Sequence, residues 1–238
     1  MSRAEEIAAL RREYADAGLD ETALAGDPFV MFRRWFDEAR AAGLHEPNAM
    51  VVSTVSATGE PSSRMVLLKV FDERGWGFFT NLESAKGHDL AGNPACALLF
   101  PWHPLERQVR ITGTASQLSR EEVADYFAGR PRGAQVGAWA SPQSDVVADR
   151  AALDTSYQAV AERFAGVEPL PVPDHWGGYV VEPHAVEFWQ GRPGRMHDRL
   201  RYLRTPPTPT TPTHTPPTHT PPTHTPPTPT WTIERLAP

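Results

Sequence analysis

From Ala49 to Ser119, short runs of branched and aromatic residues follow one another with little but turn-forming residues between them. AMVVSTV (49–55) and PSSRMVLLKVF (61–71) flank SATGE, and the turn DERG leads into WGFFTN (76–81). ACALLFPW (95–102) and QVRITGTASQLS (108–119) continue the series. Connections this short join antiparallel neighbours, whereas a parallel crossover needs a dozen or more residues. The pattern predicts antiparallel hairpins and argues against βαβ units. Helices fit between and around them. One is expected over residues 4–16 and a second over 27–43, with Asp27 as N-cap, Pro28 in the first turn and Gly43 as the stop. A short helix is expected from Ser84. Another opens on the capping-box pattern S-R-E-E at Ser119, runs through Tyr126 and Phe127 and stops near Gly129–Pro131, and a longer amphipathic one fits 145–165. The apolar segments 177–190 and 200–204 follow. The fold class is mainly β with peripheral helices, an antiparallel barrel or sandwich.

From Thr205 to Thr230 every residue is Thr, Pro or His, and then WTIERLAP (231–238) resumes as a strand. Without that tract about 210 residues remain, enough for one domain with a substantial core. Proline at this density forbids helix and sheet and favours polyproline II. In that conformation successive His214, His219 and His224 stand roughly 15 Å apart, so a spacer is expected there and no metal site. The net charge of −6 gives no basic field for nucleic acid. Apolar runs such as ACALLF are too short for a bilayer, and MSRAEEIAALRREY lacks the apolar core of a signal peptide. The single cysteine, Cys96, excludes an internal disulfide framework and reads as a small buried hydrophobe. These features predict a cytoplasmic protein.

The chain has no G-x-G-x-x-G, Walker A, H-E-x-x-H or G-x-S-x-G motif. It does place cations inside apolar segments. Arg64 and Lys69 interrupt a strand, on opposite faces if that strand is regular. Lys86 falls in the first turn of a helix, where it opposes the helix dipole unless an anion binds between them. Arg130 and Arg132 flank Pro131 behind Tyr126, and QGRPGRMHDRLR gathers arginines around His197 and Asp198. Each cation alone is read most simply as paired with Asp or Glu. Their recurrence in an acidic protein points to small phosphorylated ligands. Trp189 is read as a core aromatic or as the wall of a heteroaromatic site. Gln108 and Gln143 are read as ring-edge partners or as satisfying backbone groups.

RMVLLK (64–69), FFTN (78–81), LLFPWHPLERQVR (98–110), YFAGRPR (126–132), QVGAWAS (135–141), EFWQG (187–191), RMHDRL (195–200) and WTIERLAP resemble, in order, the pyridoxine/pyridoxamine 5′-phosphate oxidase family. The resemblance runs from LRREY (10–14) to the last residue and omits only the tract. It implies an FMN-binding split β-barrel and a homodimer with FMN in clefts between the subunits. It also implies an N-terminal helical segment with a substrate lid (1–48), a barrel of 49–204 plus 231–238, and an insertion in the final hairpin (205–230). FMN would be held by Arg64, Met65, Val66, Leu67, Leu68, Phe79, Thr80, Lys86, Gln108, Gln143, Ser144, Trp189 and Arg199. The vitamin phosphate would meet Lys69, Tyr126 and Arg130, under a lid carrying Arg11 and Tyr14. Arg195, Met196 and His197 would cover the substrate ring, with Arg195 and His197 as catalytic candidates.

The implied reaction is oxidation of pyridoxamine or pyridoxine 5′-phosphate to pyridoxal 5′-phosphate. Hydride passes to the flavin and oxygen becomes hydrogen peroxide, with ammonia released from the amine. Three positions depart from the family pattern: Ala85 in place of an arginine, Ala134 in place of a serine, and Glu46 in place of an aspartate. They predict weaker binding of FMN and substrate. They also leave open a related barrel oxidoreductase with another substrate, or a non-catalytic flavin- or pyridoxal-phosphate-binding protein.

Overall fold

The computed structural model describes residues 3, 7, 14, 15, 17–205 and 230–238. Most of the helix expected over 4–16, with Arg11, and residues 206–229 lie outside the described residues.

Helix α1 (Pro28–Ala41) starts where the Asp27 carboxylate accepts the Phe29 and Val30 N–H groups. Two residues past its end, Gly43 adopts φ +70°. Its inner face buries Met31, Phe32, Trp35 and Ala39. Phe32 packs its ring against Phe71, Trp76 and Phe100, which joins the helix to the sheet core.

Among the described residues the sheet has nine strands, all paired antiparallel: β1 (Ala49–Val55), β2 (Pro61–Leu67), β3 (Val70–Asp72), β4 (Gly75–Asn81), β5 (Ala95–Phe100), β6 (Arg107–Gln117), β7 (Trp176–Gln190), β8 (Asp198–Thr205) and β9 (Thr230–Arg235). The main path runs β2-β1-β5-β6-β7-β4-β3. Strand β7 organises it. One edge pairs with β6 along most of its length, while the other edge pairs with β4 over residues 176–181 and with β8 over 185–190. The sheet therefore divides at β7, which is the split of the barrel. The β6–β7 register shifts between Thr112 and Gly113. A Cβ at Gly113 would lie 2.1 Å from the Glu182 carbonyl oxygen, so the close approach there requires glycine.

Helices α2 (Ala85–Gly92), α3 (Arg120–Ala128), α4 (Arg132–Ala140) and α5 (Arg150–Arg163) lie between the strands in sequence. The Ser119–Glu122 capping box opens α3 as its sequence predicts. Four expectations change. The 61–71 strand breaks at Leu68–Lys69, where the Leu68 N–H bonds to Asn48 and the Lys69 N–H to Gly77. The chain leaves β1 there to join β4, and the strict alternation that put Arg64 and Lys69 on opposite faces is lost. Helix α4 was not expected, and the 145–165 helix begins only at Arg150. Thr205 and Thr230 pair in register, so strand structure takes one residue from each end of the Thr/Pro/His run. Cys96 is buried in the core, and burial pushes its thiol up to about 12, consistent with a packing role.

Candidate active site

A cleft of about 590 Å³ opens beside β2 and β4. Strand β2 supplies Arg64, Met65, Val66 and Leu67, and the break after it supplies Lys69. Phe79 and Thr80 come from β4, Lys86 from α2, Tyr126 and Arg130 from the end of α3, and Gln143 and Ser144 from the loop after α4. Because the strand resets at Leu68, Arg64 and Lys69 face the same cleft. Leu68 is 8% exposed and packs into the core instead of lining the cleft.

Two cations sit at its base. Lys86 is 7% exposed, and its Nζ donates to Thr80 Oγ1, Ser84 Oγ and Gln143 Oε1, each at 3.1 Å. Burial, and then the neighbouring Arg64, lower its pKa to about 8. Arg64 donates to Thr54 Oγ1 and to Ser62 Oγ, each at 2.6 Å. The Thr54 hydroxyl passes on to Asp89, and that carboxylate lies 3.9 Å from the guanidinium. The Asp89 carboxylate thus faces Arg64 alone, while Lys86 at the helix N-terminus has only neutral partners, leaving an excess of positive charge that suits an anion. Ser144 holds φ +81°, a costly conformation for a residue with a Cβ, and its Oγ accepts the Ala85 N–H at 3.2 Å.

The other end of the cleft is built on rings. Tyr126 stacks on Phe79 with centroids 3.8 Å apart and planes within 2°. The Arg130 guanidinium lies 4.1 Å from the centroid of Trp176, a cleft residue the sequence reading missed. Arg132, flagged beside it, instead ties the Phe164 and Val167 carbonyl oxygens and has a structural role. Of the three departures, Ala85 lines the cleft while Ala134 and Glu46 do not.

The remaining candidates form a second group. Tyr14, Gln108 and Trp189 line a smaller recess of about 190 Å³. The His197 ring lies 4.7 Å from Trp189 and 5.5 Å from Tyr14. His197 Nδ1 accepts the Arg192 N–H at 3.1 Å, which leaves Nε2 as the ring nitrogen able to carry a proton. Arg195 holds φ +64° in the turn before β8, and Met196 is exposed. Arg199 donates twice to the buried Glu187 carboxylate, at 2.9 and 3.2 Å, and once to the Ala237 carbonyl. Trp176 and Trp189 stand at opposite ends of β7, about 40 Å apart measured along an extended strand. The candidate residues therefore fall into two separate groups on one chain.

The fold and site define a split antiparallel barrel protein with a cation-lined cleft. A model of the pyridoxamine 5′-phosphate oxidase family matches residues 36–164, and one described as the pyridoxine 5′-phosphate oxidase C-terminal dimerisation region matches 176–238. The pyridoxine/pyridoxamine 5′-phosphate oxidase of Nocardioides sp. is 60% identical over 84% of this chain and 93% of its own length. The Salinibacter ruber protein of that name is 52% identical over 98% of this chain and 99% of its own. Among solved structures, PhzG from Burkholderia lata, in complex with tetrahydrophenazine-1-carboxylic acid, superposes with a TM-score of 0.78. It is 28% identical and covers 94% of this chain and 99% of its own. The chain belongs to the pyridoxine/pyridoxamine 5′-phosphate oxidase family and is an oxidoreductase. Among the described residues no helix is long and apolar enough to cross a membrane.

Proposed function

We propose that the protein is an FMN-dependent oxidase that converts pyridoxamine 5′-phosphate and pyridoxine 5′-phosphate to pyridoxal 5′-phosphate. The observation that carries this reading is the presence of two separate cationic groups in one cleft. Arg64 and Lys86 form one, and Lys69, Tyr126 and Arg130 form the other. Two phosphates, one from a cofactor and one from a substrate, account for both.

The residues present fit FMN. Buried Lys86 has hydroxyl and amide partners but no carboxylate of its own, so an incoming phosphate removes the cost of burying it. Thr80, Gln143 and Ser144 stand beside it as further polar partners, and Met65, Val66 and Leu67 offer the apolar edge a flavin ring requires. Bound FMN supplies a two-electron acceptor that oxygen restores, with hydrogen peroxide formed and ammonia released from the amine substrate. Lys69, Tyr126 and Arg130 fix the vitamer phosphate and thereby the position of its reacting carbon.

Gln108, Trp189, Arg195, Met196, His197 and Arg199 lie far along β7, a span much longer than a flavin nucleotide. A second copy of the chain related by a two-fold axis brings them to the first copy's cleft, so the active unit is a homodimer. There Arg195 and His197 cover the substrate ring. His197 presents Nε2 because Nδ1 is held by Arg192.

The test is to purify the protein, record flavin absorbance and assay pyridoxal 5′-phosphate and peroxide from both vitamers. Stoichiometric formation of the two products supports the reading. A second reading, a barrel oxidoreductase with another substrate, draws on Ala134 and on the resemblance to PhzG. Flavin without turnover of either vitamer would favour it.

A further inference from the structure

We propose that Trp176 is a positioning residue that sets the affinity for the substrate phosphate, by holding the Arg130 guanidinium on its ring face and leaving the guanidinium N–H edge for the ligand. This rests on the reading of Arg130 as a phosphate ligand. Arg130 lies 4.1 Å from the Trp176 centroid and 5.6 Å from the Phe127 centroid. Among the described residues no carboxylate pairs with it, and its Nη1 is buried without a hydrogen-bond partner. The cation is therefore held by aromatic faces. That matters chemically, because a carboxylate partner would occupy the planar fork of donors that recognises phosphate. A ring face stabilises the charge from above and leaves the fork unspent.

Trp176 is itself firmly placed. It opens β7 opposite Asn81, and its carbonyl oxygen accepts from Arg120 at 2.9 Å. Its ring meets Phe127 edge-on at 5.9 Å and packs against two apolar clusters. The indole Nε1 is buried without an acceptor, so the side chain gains nothing there from its N–H. Its contribution is the ring face. Tyr126 follows the same principle, stacked face to face on Phe79. At this end of the cleft Tyr126 and Arg130 are both held by rings, with Lys69 lining the same cleft.

The experiment is a double-mutant cycle on the flavin-loaded enzyme, with steady-state kinetics on pyridoxine 5′-phosphate. Trp176→Leu is expected to raise KM about tenfold with kcat within about twofold and flavin content unchanged, as loss of a desolvated cation–π contact predicts. Trp176→Phe, which keeps a ring face, should stay within about threefold of the parent KM. In an Arg130→Met background, Trp176→Leu should raise KM no further. Equal penalties in both backgrounds, or a raised KM for Arg130→Met but not for Trp176→Leu, would overturn the proposal. An unchanged KM for Arg130→Met itself would overturn the phosphate assignment beneath it. If Trp176→Leu does not fold, Trp176→Met, which also lacks a ring, enters the same cycle.

Discussion

Lys86 titrates where it does because burial and the nearby Arg64 both disfavour its charge, bringing it to about 8 from an ordinary 10.5. Between those two values the unfolded chain binds more protons than the folded one. The stability of the ligand-free protein therefore rises with pH across that window. Phosphate binding has the opposite requirement, since it needs the cation. FMN affinity is expected to fall as pH climbs through about 8, and Lys86→Arg, charged throughout, should flatten the fall. Fluorescence titrations of FMN between neutral and alkaline pH measure this, and a flat wild-type profile would remove Lys86 from the phosphate site. Ala85 lines the same cleft at the first turn of α2. Ala85→Arg should tighten FMN about tenfold, by one charge-assisted hydrogen bond. Unchanged affinity would mean that the present donors already satisfy the phosphate.

At the scale of elements, the strand after the tract has a second task. Arg235 in β9 donates to Glu21 at 2.7 and 2.9 Å, to Asp198 at 2.6 Å and to the Leu19 carbonyl. Asp198 also accepts the Leu19 N–H. This clasp holds the segment that follows Tyr14 against the residue next to His197. Much of the clasp is exposed, so its energetic weight is small. Arg235→Ala is expected to raise the vitamer KM about two- to fivefold and leave flavin content unchanged; loss of flavin instead would assign Arg235 to barrel integrity. Local chemistry made several elements readable from sequence. Asp27, Pro28 and Gly43 bound α1, Ser84 caps α2, and Ser119 with Glu122 opens α3. Helix α4 was hidden because Gly133 and Gly137 lower its propensity and tertiary bonds sustain it. Its Gln135 side chain is buried, donates to the Phe127, Ala128 and Arg130 carbonyls and accepts the Leu170 N–H. The break at Leu68–Lys69 and the Arg130–Trp176 contact were hidden for the same reason: partners distant in sequence decide them.

For the molecule as a whole, the cleft cations were legible because a charge inside an apolar run is conspicuous. Their division from the Trp189–His197 group was not, since it depends on how β7 shares its edge between β4 and β8. The Thr/Pro/His run lies between two strands that pair at Thr205 and Thr230. Lengthening a connection from about 4 to about 24 residues costs on the order of 1.6 kcal/mol of closure entropy, which a barrel of this size tolerates. Deleting 206–229 and joining Thr205 to Thr230 through a short turn should leave flavin content and oxidase activity unchanged. Lost activity would give the tract a role in the site. The central claim is that the cleft of one copy and the Trp189–His197 group of another complete one oxidase site. A heterodimer of Lys86→Met and Arg195→Leu chains, co-expressed with different tags, tests it most directly. Either homodimer should be nearly inactive, while the heterodimer, with one intact site of two, should recover about half the wild-type activity per dimer. A heterodimer as inactive as its parents would contradict the claim.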